Sequence, residues 1–235
     1  MRQEYQTQPM FPIRCWSFKA PSGMNNAVLE AAQKLEYRNY NAEYGVGTSS
    51  SILKHRDFFD LHQWFQFCID TLHIDNGWNC DRIVINKSWV NRSDAGSGHH
   101  HAPHRHPMSF LSGIYYMTEG PSTEFRDPLA QREWAQLHLD GAPITDSTQF
   151  VRPIPGGLFV FPSYMIHASD PNPLDFGAPS DDADSDASDV DPAASDADNP
   201  IWGAGRVPLC GLNNCAGRTL VRICIENVSC KLHFR

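Results

Sequence analysis

Apolar residues recur every three or four positions in two early stretches and every second position later, so the period changes along the chain. Over Ala27–Tyr40, Val28, Leu29, Ala31, Ala32 and Leu35 fall near helical spacing, with Asn25 or Asn26 as the expected N-cap. A second helix is predicted over Arg56–Leu72, where Phe58, Leu61, Phe65, Cys68, Ile69 and Leu72 recur at intervals of three or four. These aromatic and aliphatic stripes read as packing faces, because large apolar side chains at helical spacing are what a core needs. Residues 1–80 are thus predicted to be the helical N-terminal part.

From residue 82 the signal turns to strands. Arg82–Val90 carries β-branched residues in partial alternation, and Ser109–Met117 follows a Gly/Ser/His loop. Glu124–Arg126 and Phe150–Pro153 are shorter candidates, and Gly157–Pro162 and Thr219–Val228 are stronger ones. Many short strands with Gly and Pro turns behind a helical preface predict a β-sandwich or small barrel with helices packed outside.

Composition narrows the classes. The chain has 235 residues, 41% of them hydrophobic and 11% aromatic, enough to build a real core. It is read as one domain, 1–235, with an acidic insertion at 174–217. Eight of the 27 acidic residues fall between Asp181 and Asp198, which holds no Lys, Arg or Glu; the remaining acids balance the 19 bases. With no cluster of Lys and Arg, a nucleic-acid surface is not expected. No run of eighteen apolar residues exists, so no membrane span is expected, and the first residues lack an apolar signal core, which predicts a cytoplasmic protein. The Asp/Ser/Ala insertion is too polar to offset its ordering entropy and reads as a solvated loop. A sharper alternative is calcium binding by Asp182, Asp184, Asp186 and Asp189, although the mid-loop Gly and terminal Glu of an EF-hand are missing.

Seven cysteines at irregular spacing read as reduced thiols; Cys210 and Cys215 have no second pair with which to complete a zinc site. The histidines are more informative. Six of eleven attract attention: His99, His100, His101, His104, His106 and, sixty residues on, His167. On a strand, His104 and His106 would point to one face, with backbones roughly 5–7 Å apart, and two such imidazoles can grip one ion. A third ligand from a distant strand would leave about half of an octahedron open, as an iron(II) oxygenase requires. The alternative for residues 99–106 is a polar surface loop. His138 and His233 stand alone and read as ordinary histidines.

His104-Arg-His-Pro-Met-Ser-Phe-Leu-Ser-Gly-Ile-Tyr-Tyr-Met resembles the core motif H-x-H-P-x-S-x-L-S-G-x-Y-Y of a bacterial and phage family of 2-oxoglutarate/Fe(II) oxygenases. Further pieces arrive in the family's order: Trp89-Val-Asn, Phe125-Arg-Asp-Pro, Gly157-Leu-Phe-Val-Phe-Pro-Ser-Tyr-Met-Ile-His167 and Arg222-Ile-Cys-Ile. Phe11-Pro-Ile and the Ser49–Leu53 segment fit as well. The resemblance spans most of the chain apart from the acidic insertion.

It implies a mainly β, double-stranded β-helix (a cupin-like jelly roll) that holds iron at its mouth, with 2-oxoglutarate and dioxygen as co-substrates. His104 takes the first ligand position and His167 the distal one. His106 stands where most of the superfamily has a carboxylate, which leaves the site one unit more positive and favours anionic 2-oxoglutarate. His99 and His101 are spare candidates. Arg222 is the expected anchor for the far carboxylate, since a guanidinium fork matches it bidentately, and Arg218 is the runner-up. Tyr116 is a second carboxylate contact by similarity, whereas Tyr115 reads as packing. Ser112 is a further candidate, Asn86 and Trp89 are expected to line or support the mouth, and Asp127 reads as structural.

The activity so implied is hydroxylation of a small-molecule or peptidyl substrate with release of succinate and CO2; an oligomer is compatible with this reading. Two rivals stand beside it. Gly98…His104-x-His106 and Pro155-Gly-Gly…His167 resemble the two halves of a cupin motif, but Phe110 and Leu111 occupy the window of the cupin Glu. A catalytically silent β-barrel that binds a ligand or partner is the other.

Overall fold

The computed structural model describes residues 13–41, 45–47, 51–94, 99–128, 138–139, 142–143, 148–169 and 220–231. Arg218, Cys210, Cys215, His233 and the whole run Asp181–Asp198 lie outside the described residues.

Fourteen strands and two α-helices are present among these. The strands are β1 Trp16–Lys19, β2 Arg38–Asn41, β3 Gly45–Gly47, β4 Arg82–Val84, β5 Lys87–Ser93, β6 His101–His104 and β7 Leu111–Tyr116. They continue as β8 Thr123–Arg126, β9 His138–Leu139, β10 Ala142–Pro143, β11 Thr148–Val151, β12 Gly157–Pro162, β13 His167–Ser169 and β14 Leu220–Lys231. The helices are α1 Met24–Gln33 and α2 Phe59–Asn76.

The strands form a large sheet in the order β1-β12-β7-β14-β5-β3-β2, with β4 also on β14, and a four-stranded sheet β11-β8-β13-β6; β9 and β10 pair separately. Every pairing is antiparallel. Apart from β2 and β3, the neighbours are far apart in sequence, so no simple meander builds either sheet. This is the double-stranded β-helix, or jelly roll, a mainly β fold.

The central strands show how the chain serves two layers at once. On β7 and its continuation, Leu111, Tyr115 and Met117 join a core shared with the helices, whereas Ile114 and Tyr116 face a second core toward the small sheet. On β12, Leu158 and Val160 go to the first core and Phe159 and Phe161 to the second, with Phe125 of β8 closing it from the other side. Side chains alternate across a strand, so a strand covered on both faces must be apolar at every position. That is why Gly157-Leu-Phe-Val-Phe reads as a continuous apolar run.

Helix α2 buries Leu61, Phe65, Cys68, Ile69 and Leu72, the stripe its spacing predicts. Trp64 and Phe65 meet the Tyr115 ring at centroid distances of 6.0 and 5.5 Å, docking the helix on the outer face of β7. The helix begins after a 3₁₀ turn at Arg56–Phe58 and runs on to Asn76, where Gly77 at φ 60° ends it by donating its N–H to the Ile74 carbonyl.

Helix α1 differs from its prediction at both ends. It starts at Met24 behind Gly23, with no side-chain cap, and stops at Gln33. The amide of Asn25 is committed elsewhere: it donates to the Met117 carbonyl and accepts from the Tyr115 hydroxyl, both at 3.0 Å. Two bonds to the sheet replace the local cap. The N-terminal part is also not purely helical, because β1 pairs with β12, and β2 and β3 extend the large sheet beside β5. Arg82–Val90 breaks into β4 and β5 as well, both of which pair with β14.

Candidate metal centre and cofactor pocket

Three histidines converge where the small sheet meets the β12–β13 turn. His104 ends β6 and His167 opens β13, and the two are direct cross-strand partners. His106 lies two residues beyond the end of β6, so strand alternation does not orient it. Instead its backbone N–H donates to the Ser163 carbonyl at 3.1 Å, which hangs the residue on the turn before His167.

One ring nitrogen of each histidine comes within 4.8 Å of the others. The Nε2 atoms of His106 and His167 are 3.2 Å apart. Two nitrogens bound to one ion at about 2.1 Å and near a right angle would sit about 3 Å apart, so this spacing fits an edge of a coordination shell. The tautomers fit too. Nδ1 of His104 lies 2.8 Å from the Ala102 carbonyl and Nδ1 of His167 lies 3.2 Å from the Met165 carbonyl. A carbonyl only accepts, so each Nδ1 carries the proton and each Nε2 is left with its lone pair. The group contains no carboxylate.

Aromatic rings fix the deepest ligand. Phe125 stacks on His167 at 25° between planes, with centroids 5.8 Å apart, and Phe161 meets it edge-on at 4.9 Å. His167 is buried, whereas His104 and His106 are half-buried toward an open cleft. The cleft is lined by these histidines with Trp89, Asn91, Ile114, Phe161 and Ile225.

The other expected residues divide into three groups. Trp89 lines the cleft, its ring 6.3 Å from that of His106, and His101 and Ser112 line it as well. Tyr116 is fully buried deeper between the sheets, its hydroxyl 2.7 Å from that of Thr123. Position 222 on β14 pairs with Tyr116 on one side and Asn91 on the other. Asn86, however, is exposed in the link between β4 and β5 and is not among the residues lining the cleft. Asn91 lines it instead, and the strand period carries the signal: Asn91 lies two residues after Trp89 on β5 and so shares its face. Neither His99 nor the half-buried Asp127 lines the cleft. Tyr115 is a packing residue with a phenol that burial holds above its ordinary pKa. Thr123 lies outside every motif of the sequence and only its partner Tyr116 makes it visible, whereas Ser163 stands within the Phe-Pro-Ser segment before His167 but has no role assigned there.

A jelly roll with a histidine triad at its mouth defines a class, the non-haem metal proteins of the double-stranded β-helix. Within it, residues 87–176 match the model of the family described as "Putative 2OG-Fe(II) oxygenase". The segment includes His104, His106 and His167, and Arg222 lies beyond it. The cofactors in the family's description, Fe(II) and 2-oxoglutarate, fit a set of three imidazole ligands beside an open cleft.

Solved structures agree on the fold. A prolyl-4-hydroxylase from Pseudomonas putida is similar at 10% identity, over 92% of this chain and 94% of that one, with a TM-score of 0.54. The non-heme α-ketoglutarate-dependent epimerase SnoN from nogalamycin biosynthesis gives 10% identity over 91% and 77%, with a TM-score of 0.55. HygX from Streptomyces hygroscopicus, solved with nickel and 2-oxoglutarate bound, gives 6% over 91% and 82%, with a TM-score of 0.53. No curated protein matches the chain in sequence. Among the described residues, no helix is long and apolar enough to cross a membrane.

Proposed function

We propose that His104, His106 and His167 hold Fe(II) and that the chain uses 2-oxoglutarate and dioxygen to hydroxylate a substrate. The observation that carries this reading is the convergence of three imidazole nitrogens, two of them 3.2 Å apart, at the mouth of a jelly roll. Bound iron and 2-oxoglutarate supply the oxidising chemistry, in which one oxygen atom enters the substrate while 2-oxoglutarate loses CO2 and becomes succinate.

The chain's own residues bind, orient and exclude water. The Ala102 and Met165 carbonyls hold the imidazoles of His104 and His167 in the ligating tautomer. Phe125 and Phe161 keep water from the inner side of His167. Three neutral ligands leave the charge of a divalent ion uncompensated, which favours a dianionic co-substrate over a neutral one.

For the far carboxylate, Arg222 is the proposed anchor, with Tyr116 as a second contact. Ser112, Ile114 and Tyr116 share one face of β7, and Ser112 and Ile114 line the cleft, so that face leads from the histidines toward Tyr116. Position 222 pairs directly with Tyr116, and directly paired positions share a face of an antiparallel sheet.

The test is succinate release by iron-loaded protein given 2-oxoglutarate and air, together with 2-oxoglutarate binding under anaerobic conditions. Arg222→Ala is expected to weaken 2-oxoglutarate binding by roughly 10- to 150-fold, the equivalent of a charged hydrogen bond of about 1.5–3 kcal/mol. Unchanged binding in this variant would move the anchor elsewhere. A protein that takes up iron but neither binds 2-oxoglutarate nor forms succinate would instead be a cupin-type metalloprotein of other chemistry.

A further inference from the structure

Of the three histidines, His106 alone lies outside a strand, so something other than the sheet ladder must place it. The contacts around Ser163 identify what does. Ser163 is fully buried, one residue past the end of β12, and both of its backbone groups serve the loop that carries His106. Its carbonyl accepts from the His106 N–H at 3.1 Å, and its own N–H donates to the Phe110 carbonyl at 3.2 Å. The ends of the 106–110 loop are therefore both laid on this single residue. Four residues on, the same turn delivers His167.

The side chain of Ser163 ties this junction to the barrel. Its hydroxyl lies 2.7 Å from that of Ser112, which is itself buried, on β7, and a lining residue of the cleft. One hydroxyl donates and the other accepts. Two buried hydroxyls in an apolar interior leave little latitude, because the loss of either partner strands the other without its bond. The register of the sheet reinforces this: Ser112 pairs with Phe161 and Leu111 with Pro162, so Ser163 follows directly on the last paired residue of β12. The ladder runs one step further through the Ser163 N–H to the Phe110 carbonyl, and the hydroxyl pair adds a side-chain bond at that last step.

We propose that Ser163, through its bond to Ser112, is a positioning residue for the metal centre: it sets the place of His106 relative to His167. The inference rests on the reading of His106 as the third ligand. Ser163 touches no ligand nitrogen itself and acts through the main-chain bond to His106.

Cobalt(II) is the probe, followed in the full-length protein by its visible absorption and by titration, with thermal unfolding measured in parallel. Ser163→Ala and Ser112→Ala are each expected to weaken Co(II) binding about 10- to 100-fold, the range for residues that orient metal ligands, and to alter the absorption bands. In the double variant Ser112→Ala/Ser163→Ala, the stranded hydroxyl is gone, so thermal stability should recover while Co(II) binding stays weak. Ser163→Thr, which keeps a hydroxyl, should rescue part of the affinity. Wild-type affinity and bands in Ser163→Ala would overturn the proposal, as would recovery of both stability and affinity in the double variant. His106→Ala is the control that separates the two claims. If it leaves affinity and bands unchanged, His106 is not a ligand and the underlying reading fails. If it loses affinity while Ser163→Ala does not, only the positioning role fails.

Discussion

His106 and His167 are separated by 61 positions in the chain, yet their Nε2 atoms lie 3.2 Å apart. Two neutral imidazoles gain little from such an approach unless a proton or a cation sits between them, and with both Nδ1 neighbours of His104 and His167 being carbonyls, a shared cation satisfies the whole group. Removing one ligand should therefore cost much of the metal affinity. His104→Ala, His106→Ala and His167→Ala are each expected to weaken Fe(II) or Co(II) binding by about 100-fold or more, beyond the 10- to 100-fold typical of residues that only orient ligands. Isothermal titration reads this directly, and a variant that binds as wild type removes that histidine from the set.

Gly113 is opposite Ile225 in the β7–β14 ladder, and a Cβ at that position would lie 2.9 Å from Ile225 Cγ1 and 3.0 Å from its Cδ1. Gly113→Ala should destabilise the protein by about 1–3 kcal/mol through overpacking. Adding Ile225→Ala opens that space, so the double variant should be less destabilised than the two single losses combined. Strict additivity in urea unfolding would rule out the clash as the cause.

The Asn25 amide joins α1 to β7 by one bond to the Tyr115 hydroxyl and one to the Met117 carbonyl. Asn25→Ala leaves a buried phenol without this partner, with an expected loss of about 1–3 kcal/mol. In a Tyr115→Phe background the same substitution should cost measurably less. Equal costs in the two backgrounds would show that the bond to Tyr115 contributes nothing.

Burial pushes the Cys15 thiol up to about 11 and the Cys68 thiol up to about 12, from an ordinary 9.0. A raised folded-state pKa means that the fold prefers the protonated thiol. Below pH 9 both states keep the proton and the term is constant; between pH 9 and about 12 the unfolded chain ionises first, and stability falls as pH rises. The midpoint of urea unfolding should drop across pH 9–11, and less steeply in Cys68→Ala. At pH 8, a thiol reagent followed by mass spectrometry should label both cysteines at least roughly tenfold more slowly in the native protein than in urea. Equal rates at Cys68 would contradict its burial.

Much of the fold was legible because burial writes a period into a chain. The stripe from Leu61 to Leu72 and the run Gly157–Pro162 show a one-sided helix and a two-sided strand without any coordinates. The end of α1 was not legible, because Asn25 and Asn26 satisfy the local rule for a cap, and the decision went to a tertiary bond between Asn25 and the sheet. Asn86 sits in a strand-like stretch that breaks between β4 and β5, and among the described residues it is Asn91 that lines the cleft.

By itself the sequence determined the mainly β class, the histidine motif and the resemblance it carries, since side-chain period and motif spacing are local properties that survive in a string. Only the tertiary structure decided which histidine nitrogens meet, that His106 hangs on Ser163 rather than on β6, and that position 222 falls opposite Tyr116. Those relationships come from antiparallel pairings between strands remote in sequence. Register across such a gap depends on the packing of both sheets at once, and no local pattern carries it.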